Sequence, residues 1–296
     1  MKKVITLLAI IMIIVMGFAL IKGQHTSSKN NQHRQITIVA STDFYAELAQ
    51  TVVGSHGKAT AIIKNQNISP EDYEPTTAVA KEVSQADIVL ANGLGYDTWL
   101  NKLAKASDQA KLIRVGETVL KQKTGNNPHL WNNPETMIKT AHYLAKQLGQ
   151  QDPTHKADFQ KNANKYIASL KPIQSLITQI SKKSNGHAVA QTEPVFEYML
   201  KAMGYHVMDS DFSEAIEAGN DPSPTTLATL KSAIENHKIT FIVNNKQTSS
   251  TTVSNIINLA KTHHIPVVNV TETIPNGENY VSWKLSELQQ IAKITQ

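Results

Sequence analysis

The chain has 296 residues, enough for about two domains at ~150 residues each, and 41% hydrophobic with 18% charged residues excludes a disordered chain. Aromatic residues make up only 6%, and the net charge of +5 includes Lys2, Lys3 and Lys22 around an apolar N-terminal run, so neither base stacking nor a basic stripe points to nucleic acid. The chain has no cysteine, which excludes disulfides, thiolate-bound zinc, iron–sulfur clusters and thiol catalysis, and leaves no thiol for lipid attachment.

Residues 1–22 read as an export segment. Lys2 and Lys3 form a basic start, and Val4–Ile21 is an uncharged stretch of 18 residues. At 1.5 Å per residue it would reach roughly 27 Å, close to the thickness of a bilayer core. No small-x-small cleavage site follows it, so an uncleaved signal anchor is expected ahead of a cleaved signal peptide, with the body outside the cytoplasm. Residues 23–34 are polar and read as a flexible tether.

From residue 35 onward apolar runs alternate with helical patterns. Strands are predicted at Gln35–Ala40, Ala59–Ile63, Ile88–Ala91 and Lys111–Val115, with helices at Phe44–Val53, Thr77–Ser84 and Thr98–Ala106. This β-α-β order implies a largely parallel sheet covered by helices. Asn133–Pro134 reads as a cap and first residue of a helix reaching about Leu148. Asp152–Pro153 opens a helical pattern of about 29 residues running to about Ser181, with a kink expected at Pro172. A second alternating set follows, with strands at Ala188–Gln191, His206–Met208, Thr240–Val243 and Val267–Val270. Its helices are predicted at Pro194–Met203, Pro224–Asn236, Ser249–Thr262 and Ser282–Ile294. The fold class is therefore α/β: an N-terminal lobe over 35–151, a connecting helix over 152–184 and a C-terminal lobe over 185–296.

Ligands of parallel α/β sheets bind beyond the carboxyl ends of the strands. Four loops at such places carry metal-ligating side chains: Ser69–Thr76 with Glu71 and Asp72, Asn127–Pro134 with His129, Gln191–Phe196 with Glu193, and Val270–Thr273 with Glu272. The acidic run of Asp209, Asp211, Glu214, Glu217 and Asp221 lacks the glycine of a calcium loop and reads as solvated surface. Asn92-Gly93-Leu94-Gly95 lacks the third glycine of a dinucleotide fingerprint, and common hydrolase signatures are absent.

Asn-Pro-His-x-Trp-x-x-Pro at 127–134, Tyr73-Glu74-Pro75-Thr76, the Glu193–Tyr198 segment and Asp221-Pro222-Ser223-Pro224 together resemble the substrate-binding proteins of zinc and manganese ABC importers, the TroA-like, adhesin-lipoprotein family. The resemblance covers roughly residues 35–296. It implies two lobes of mainly parallel sheet joined by one long backbone helix, and no catalysis. It implies a divalent metal ion as cargo, carried by a monomer to an ABC permease in the membrane. Carried over residue by residue, the ligands are Glu71, His129, Glu193 and Glu272. Glu71 stands where the family usually has histidine, with Asp72 as the alternative, and Glu272 stands where it usually has aspartate. One imidazole and three carboxylates overcompensate a divalent ion by about one charge and favour a harder ion, Mn²⁺ ahead of Zn²⁺. Residues 116–127 contain no histidine, so the His-rich loop of some zinc-specific relatives is missing, which tilts the same way. Two other readings follow from the missing histidine: an adhesion or scaffold protein with a lost metal site, and a metal-dependent enzyme using Glu71 as base.

Overall fold

In a computed structural model, residues 35–64, 68–107, 109–248 and 250–295 are described. The predicted export segment and tether lie outside them; among the described residues no helix is long and apolar enough to cross a membrane.

Strands β1 (Ile36–Thr42), β2 (Gly57–Ile63), β3 (Ile88–Ala91) and β4 (Lys111–Arg114) form one sheet in the order β2-β1-β3-β4, every pair parallel. Helices α1 (Asp43–Val53), α2 (Thr77–Ser84) and α3 (Thr98–Lys105) are the connections. Strand β3 is buried along its whole length, as a strand covered on both faces must be. Gly57 starts β2 at a place where a Cβ would stand 2.3 Å from the Ile36 carbonyl oxygen, so only glycine lets the two strands meet there.

Between the sheets lie α4 (Thr136–Gln151), α5 (Lys156–Ser169) and α6 (Lys171–Ser184). Helix α4 starts later than predicted: Asn133 Oδ1 accepts from Glu135 N at 3.0 Å, which makes a turn before the helix rather than its cap. The connecting segment is interrupted where the kink is expected: α5 and α6 are separated by Leu170 alone, which keeps a helical φ of −80° and ψ of −11°, because Pro172 has no N–H to continue the ladder and falls at the start of α6.

The second sheet repeats the first. Strands β5 (Ala188–Gln191), β6 (His206–Val207), β7 (Ile242–Asn245) and β8 (Val267–Val270) run in the order β6-β5-β7-β8, again all parallel. Its helices are α7 (Glu197–Ala202), α8 (Ser210–Glu217), α9 (Pro224–Glu235), α10 (Thr251–Thr262) and α11 (Tyr280–Ile294). Ser223 caps α9 as predicted, its Oγ accepting from Thr226 N at 3.1 Å with Pro224 next. Helix α8 was not predicted. Its acidic positions hid an amphipathic helix that buries Phe212, Ser213 and Ile216.

One hydrophobic cluster reaches from β1 and α1 through α4, α5 and α6 to α7 and α11, so the two sheets share a core. Smaller clusters back the outer face of each sheet. Helix α11 belongs to the second sheet yet closes onto the first. Tyr280 donates from its backbone N to Glu47 Oε2 at 2.9 Å and from its hydroxyl to the Trp131 carbonyl at 2.7 Å. Lys284 Nζ donates to Asn132 Oδ1 at 2.7 Å.

Candidate metal centre

In each sheet the first strand lies between the second and the third, so β1 and β3, and β5 and β7, flank the points where the winding reverses. Loops leaving such carboxyl ends part and leave a crevice. A cavity of about 580 Å³ opens there, lined by Glu71, Asp72, His129, Glu193, Glu217, Lys246, Gln247, Thr248 and Glu272 among others. All four residues predicted as ligands, and the alternative Asp72, face it. They are not drawn into a closed shell: among the described residues no three His, Asp or Glu side chains stand together closely enough to hold an ion.

His129 is the most constrained member. It is 2% exposed and packed edge-on to Trp131 at 5.2 Å and to Tyr96 at 6.2 Å. Burial among these rings pushes its pKa down to about 3, so the imidazole is neutral. The amide of Asn127 sets which nitrogen keeps the proton. Asn127 Nδ2 donates to the Pro194 carbonyl at 2.8 Å and to Glu197 Oε2 at 3.0 Å, two groups that accept from it. Its Oδ1 therefore faces His129, accepting from the backbone N at 2.9 Å and from Nδ1 at 2.8 Å. The proton is on Nδ1, and Nε2 presents a bare lone pair to the cavity. An outer-shell acceptor on the far nitrogen is the usual support of a metal-binding histidine.

Glu193 and Glu272 leave the ends of β5 and β8 and share one donor. Asn245, at the end of β7, gives Nδ2 to Glu193 Oε2 at 2.5 Å and to Glu272 Oε1 at 2.8 Å. Thr248 Oγ1 also donates to Glu193 Oε2. Glu193 stands at the N-cap position before Pro194–Phe196 but makes no capping bond; its carboxylate turns into the cavity. Glu272 is pushed above the usual carboxylate range, first by burial and then by Glu193. Tyr96, in the turn after β3, donates its hydroxyl to Glu272 Oε2 at 3.2 Å and so links the two lobes across the cavity.

Glu71 sits at the rim, on a loop held by Trp99, whose indole N–H donates to the Pro70 carbonyl at 2.9 Å. Tyr73 packs edge-on against the same indole at 4.8 Å. Although its side chain meets solvent, Glu71 is pushed up to about 7, mainly by desolvation inside the cavity mouth and then by Glu272, Asp72 and Glu193.

Two residues escaped the sequence reading. Asn245 carries no metal chemistry of its own, and its signal was only a polar residue ending an apolar strand. Glu217 belonged to the run read as solvated surface, and the structure corrects that reading: from the last turn of α8 its Oε1 stands 3.6 Å from His129 Nε2. Burial, followed by Glu71, Glu193 and Glu272, pushes its pKa up to about 8.

Residues 38–294 match the family described as zinc-uptake complex component A, periplasmic. The chain belongs to that family. It is accordingly an extracytoplasmic solute-binding component of metal import, not an enzyme, and captures a metal ion for an ABC transporter. Its relatives include the manganese ABC transporter substrate-binding lipoprotein PsaA of Streptococcus pneumoniae, 24% identical with 99% of each chain covered. The metal ABC transporter substrate-binding lipoprotein ScbA of Streptococcus cristatus is 25% identical, with 97% of each covered. A Mn-bound mutant of a periplasmic metal-binding protein from Candidatus Liberibacter asiaticus has the same fold. Its TM-score is 0.75 at 18% identity, over 88% of this chain and 100% of that one. So does FpvC of Pseudomonas aeruginosa with Mn²⁺, at TM-score 0.73 and 19% identity, over 89% and 99% of the two chains.

Proposed function

We propose that this solute-binding protein captures one divalent transition metal ion with Glu71, His129, Glu193 and Glu272, Mn²⁺ ahead of Zn²⁺, and hands it to its membrane permease. The observation that carries the reading is His129: a dry, neutral imidazole with its proton held on Nδ1 and its Nε2 open to a cavity lined by carboxylates. Like charges hold those carboxylates apart in the absence of a cation, and a divalent ion removes that repulsion and draws them in. Three carboxylate ligands to one imidazole favour a hard ion, and PsaA is named for manganese.

Release falls to the permease. The lobes are tied beside the cavity by Asn127 to Pro194 and Glu197, by Asn132 Nδ2 to the Val195 carbonyl at 2.7 Å, and by Tyr280 to Trp131. These links favour small local movements of the ligand loops over a wide hinge. The protein acts as a monomer. Its relatives carry the name lipoprotein, and since this sequence has no cysteine, the apolar run Val4–Ile21 serves as its membrane tether.

The test is thermal unfolding of the metal-free protein with Mn²⁺, Zn²⁺, Fe²⁺ and Ni²⁺, with elemental analysis of the bound form. An ion at 100 times its dissociation constant stabilises by about 2.7 kcal/mol. One bound equivalent, with the shift abolished in His129→Ala, supports the reading and names the ion. No shift with any of the four ions refutes it and leaves a scaffold with a lost site.

A further inference from the structure

We infer that Glu217 is a further ligand of the captured ion and shares it with His129. The inference rests on the metal-capture reading above and adds to it a donor that neither the motifs nor the family resemblance supplied.

The geometry of the pair carries it. Glu217 Oε1 and His129 Nε2 are 3.6 Å apart inside the cavity that the four expected ligands line. That is too long for an O–H···N or N–H···O hydrogen bond. The proton of the imidazole is committed to Asn127 through Nδ1, so Nε2 meets the carboxylate as a lone pair. Two electron-pair donors facing each other at this spacing match the edge of a metal coordination shell. Two bonds of about 2.1 Å meeting at a tetrahedral angle put their donor atoms roughly 3.4 Å apart. No third His, Asp or Glu joins the pair among the described residues, so the rest of the shell has still to close around it.

The placement is built by the fold. Asp209 starts the turn into α8 and is buried, its carboxylate accepting from Gln191 N at 3.0 Å, which ties α8 to the end of β5 just before Glu193. Phe212 and Ile216 seat the helix in the core, and its last turn then presents Glu217 to the cavity. Glu214, on the same helix, is exposed.

A fifth donor changes what the site selects. Zinc is satisfied by four ligands, whereas an oxygen-rich set of five suits an ion of higher coordination such as Mn²⁺. Four carboxylates overcompensate a divalent ion by two charges, and the ammonium of Lys246, on the same cavity wall, offsets one of them.

The test is titration of the full metal-free protein with Mn²⁺ and separately with Zn²⁺, in the wild type, Glu217→Gln, Glu214→Gln and His129→Ala. The electron paramagnetic resonance spectrum of bound Mn²⁺ and the metal-free melting temperature are read alongside. In Glu217→Gln we expect one equivalent still bound, Mn²⁺ affinity at least tenfold weaker, Zn²⁺ affinity within about threefold and an altered Mn²⁺ spectrum, with Glu214→Gln unchanged. Mn²⁺ affinity within threefold of wild type with an unaltered spectrum overturns the role of Glu217, while loss of binding in His129→Ala still upholds metal capture. A wild-type protein that binds neither ion overturns both. If Glu217→Gln melts well below the wild type without metal, a crystal structure of the Mn²⁺-bound wild type decides: a Glu217 carboxylate outside bonding distance of the ion refutes the inference.

Discussion

Asn127 does two separable jobs, and two substitutions pull them apart. Asn127→Ala removes the acceptor for His129 Nδ1 and both donors to the opposite lobe, Nδ2 to Pro194 O at 2.8 Å and to Glu197 Oε2 at 3.0 Å. One bond to a neutral and one to a charged acceptor are together worth about 2–3 kcal/mol, which lowers the melting temperature of the metal-free protein by roughly 5–10 °C. Loss of the outer-shell acceptor costs a further ~10–100-fold in metal affinity, because the imidazole is free to turn and to move its proton to Nε2. Asn127→Asp keeps an oxygen beside Nδ1 but loses both donors and sets a carboxylate against Glu197. It should melt at or below the alanine variant yet bind metal at least as tightly as the wild type. The assay is competition with a chromophoric chelator, run beside thermal melts without metal. If the alanine variant keeps wild-type affinity, or if affinity simply follows stability across the three proteins, the orienting role assigned to Asn127 is wrong.

Protons compete with the ion. Glu71 near 7 and Glu217 near 8 hold protons that a cation must displace, so affinity for Mn²⁺ should rise from pH 6.5 to 8.5; a flat profile refutes this. Without metal the sign reverses. These acids bind protons more tightly in the folded chain than in the unfolded one, so the metal-free protein should lose stability over the same interval. Below about 6.5 the neutral His129, whose pKa is lowered to about 3, works in the opposite direction, because the unfolded chain then takes up the proton that the folded one excludes. Lys284→Met leaves Glu287 without the ammonium it meets at 2.8 Å in a fully buried pocket, and should cost about 3–5 kcal/mol in denaturant unfolding. A cost under about 1 kcal/mol would mean that the pair adds nothing there. Tyr96→Phe deletes the hydroxyl that reaches Glu272 across the lobes and should lower stability by about 1 kcal/mol while one equivalent of metal still binds. An unchanged melting temperature would show that this link adds no stability.

The sequence by itself determined the order of the elements and the loops where chemistry could gather. Strand runs such as Ile88–Ala91, Ala188–Gln191 and Val267–Val270 were legible to the residue, because each is a short, mostly apolar run between breakers, and Ile88–Ala91 is buried along its whole length. Ser223–Pro224 was legible because a cap acts locally. The family motif around His129 was legible for the same reason, since it is one continuous stretch of chain. What depends on residues far apart in sequence came only with the tertiary structure. The anchoring of Asn127 by Pro194 and Glu197 and the clamp of Asn245 on Glu193 and Glu272 each need a partner that no local pattern names. Glu217 was misread because, in a run with five acids, charge spacing hides the apolar face of α8, and only the packing of that face aims the last turn at His129. The equivalence of the two sheets was equally silent. Asn92 and Asn245 follow or end the third strand of their sheets, and each donates into a site loop, Asn92 Nδ2 to the Pro128 carbonyl at 2.8 Å and Asn245 to the paired carboxylates. A shared topology leaves no repeat in the sequence, because packing constrains where a chain turns far more tightly than which residues it uses to do so.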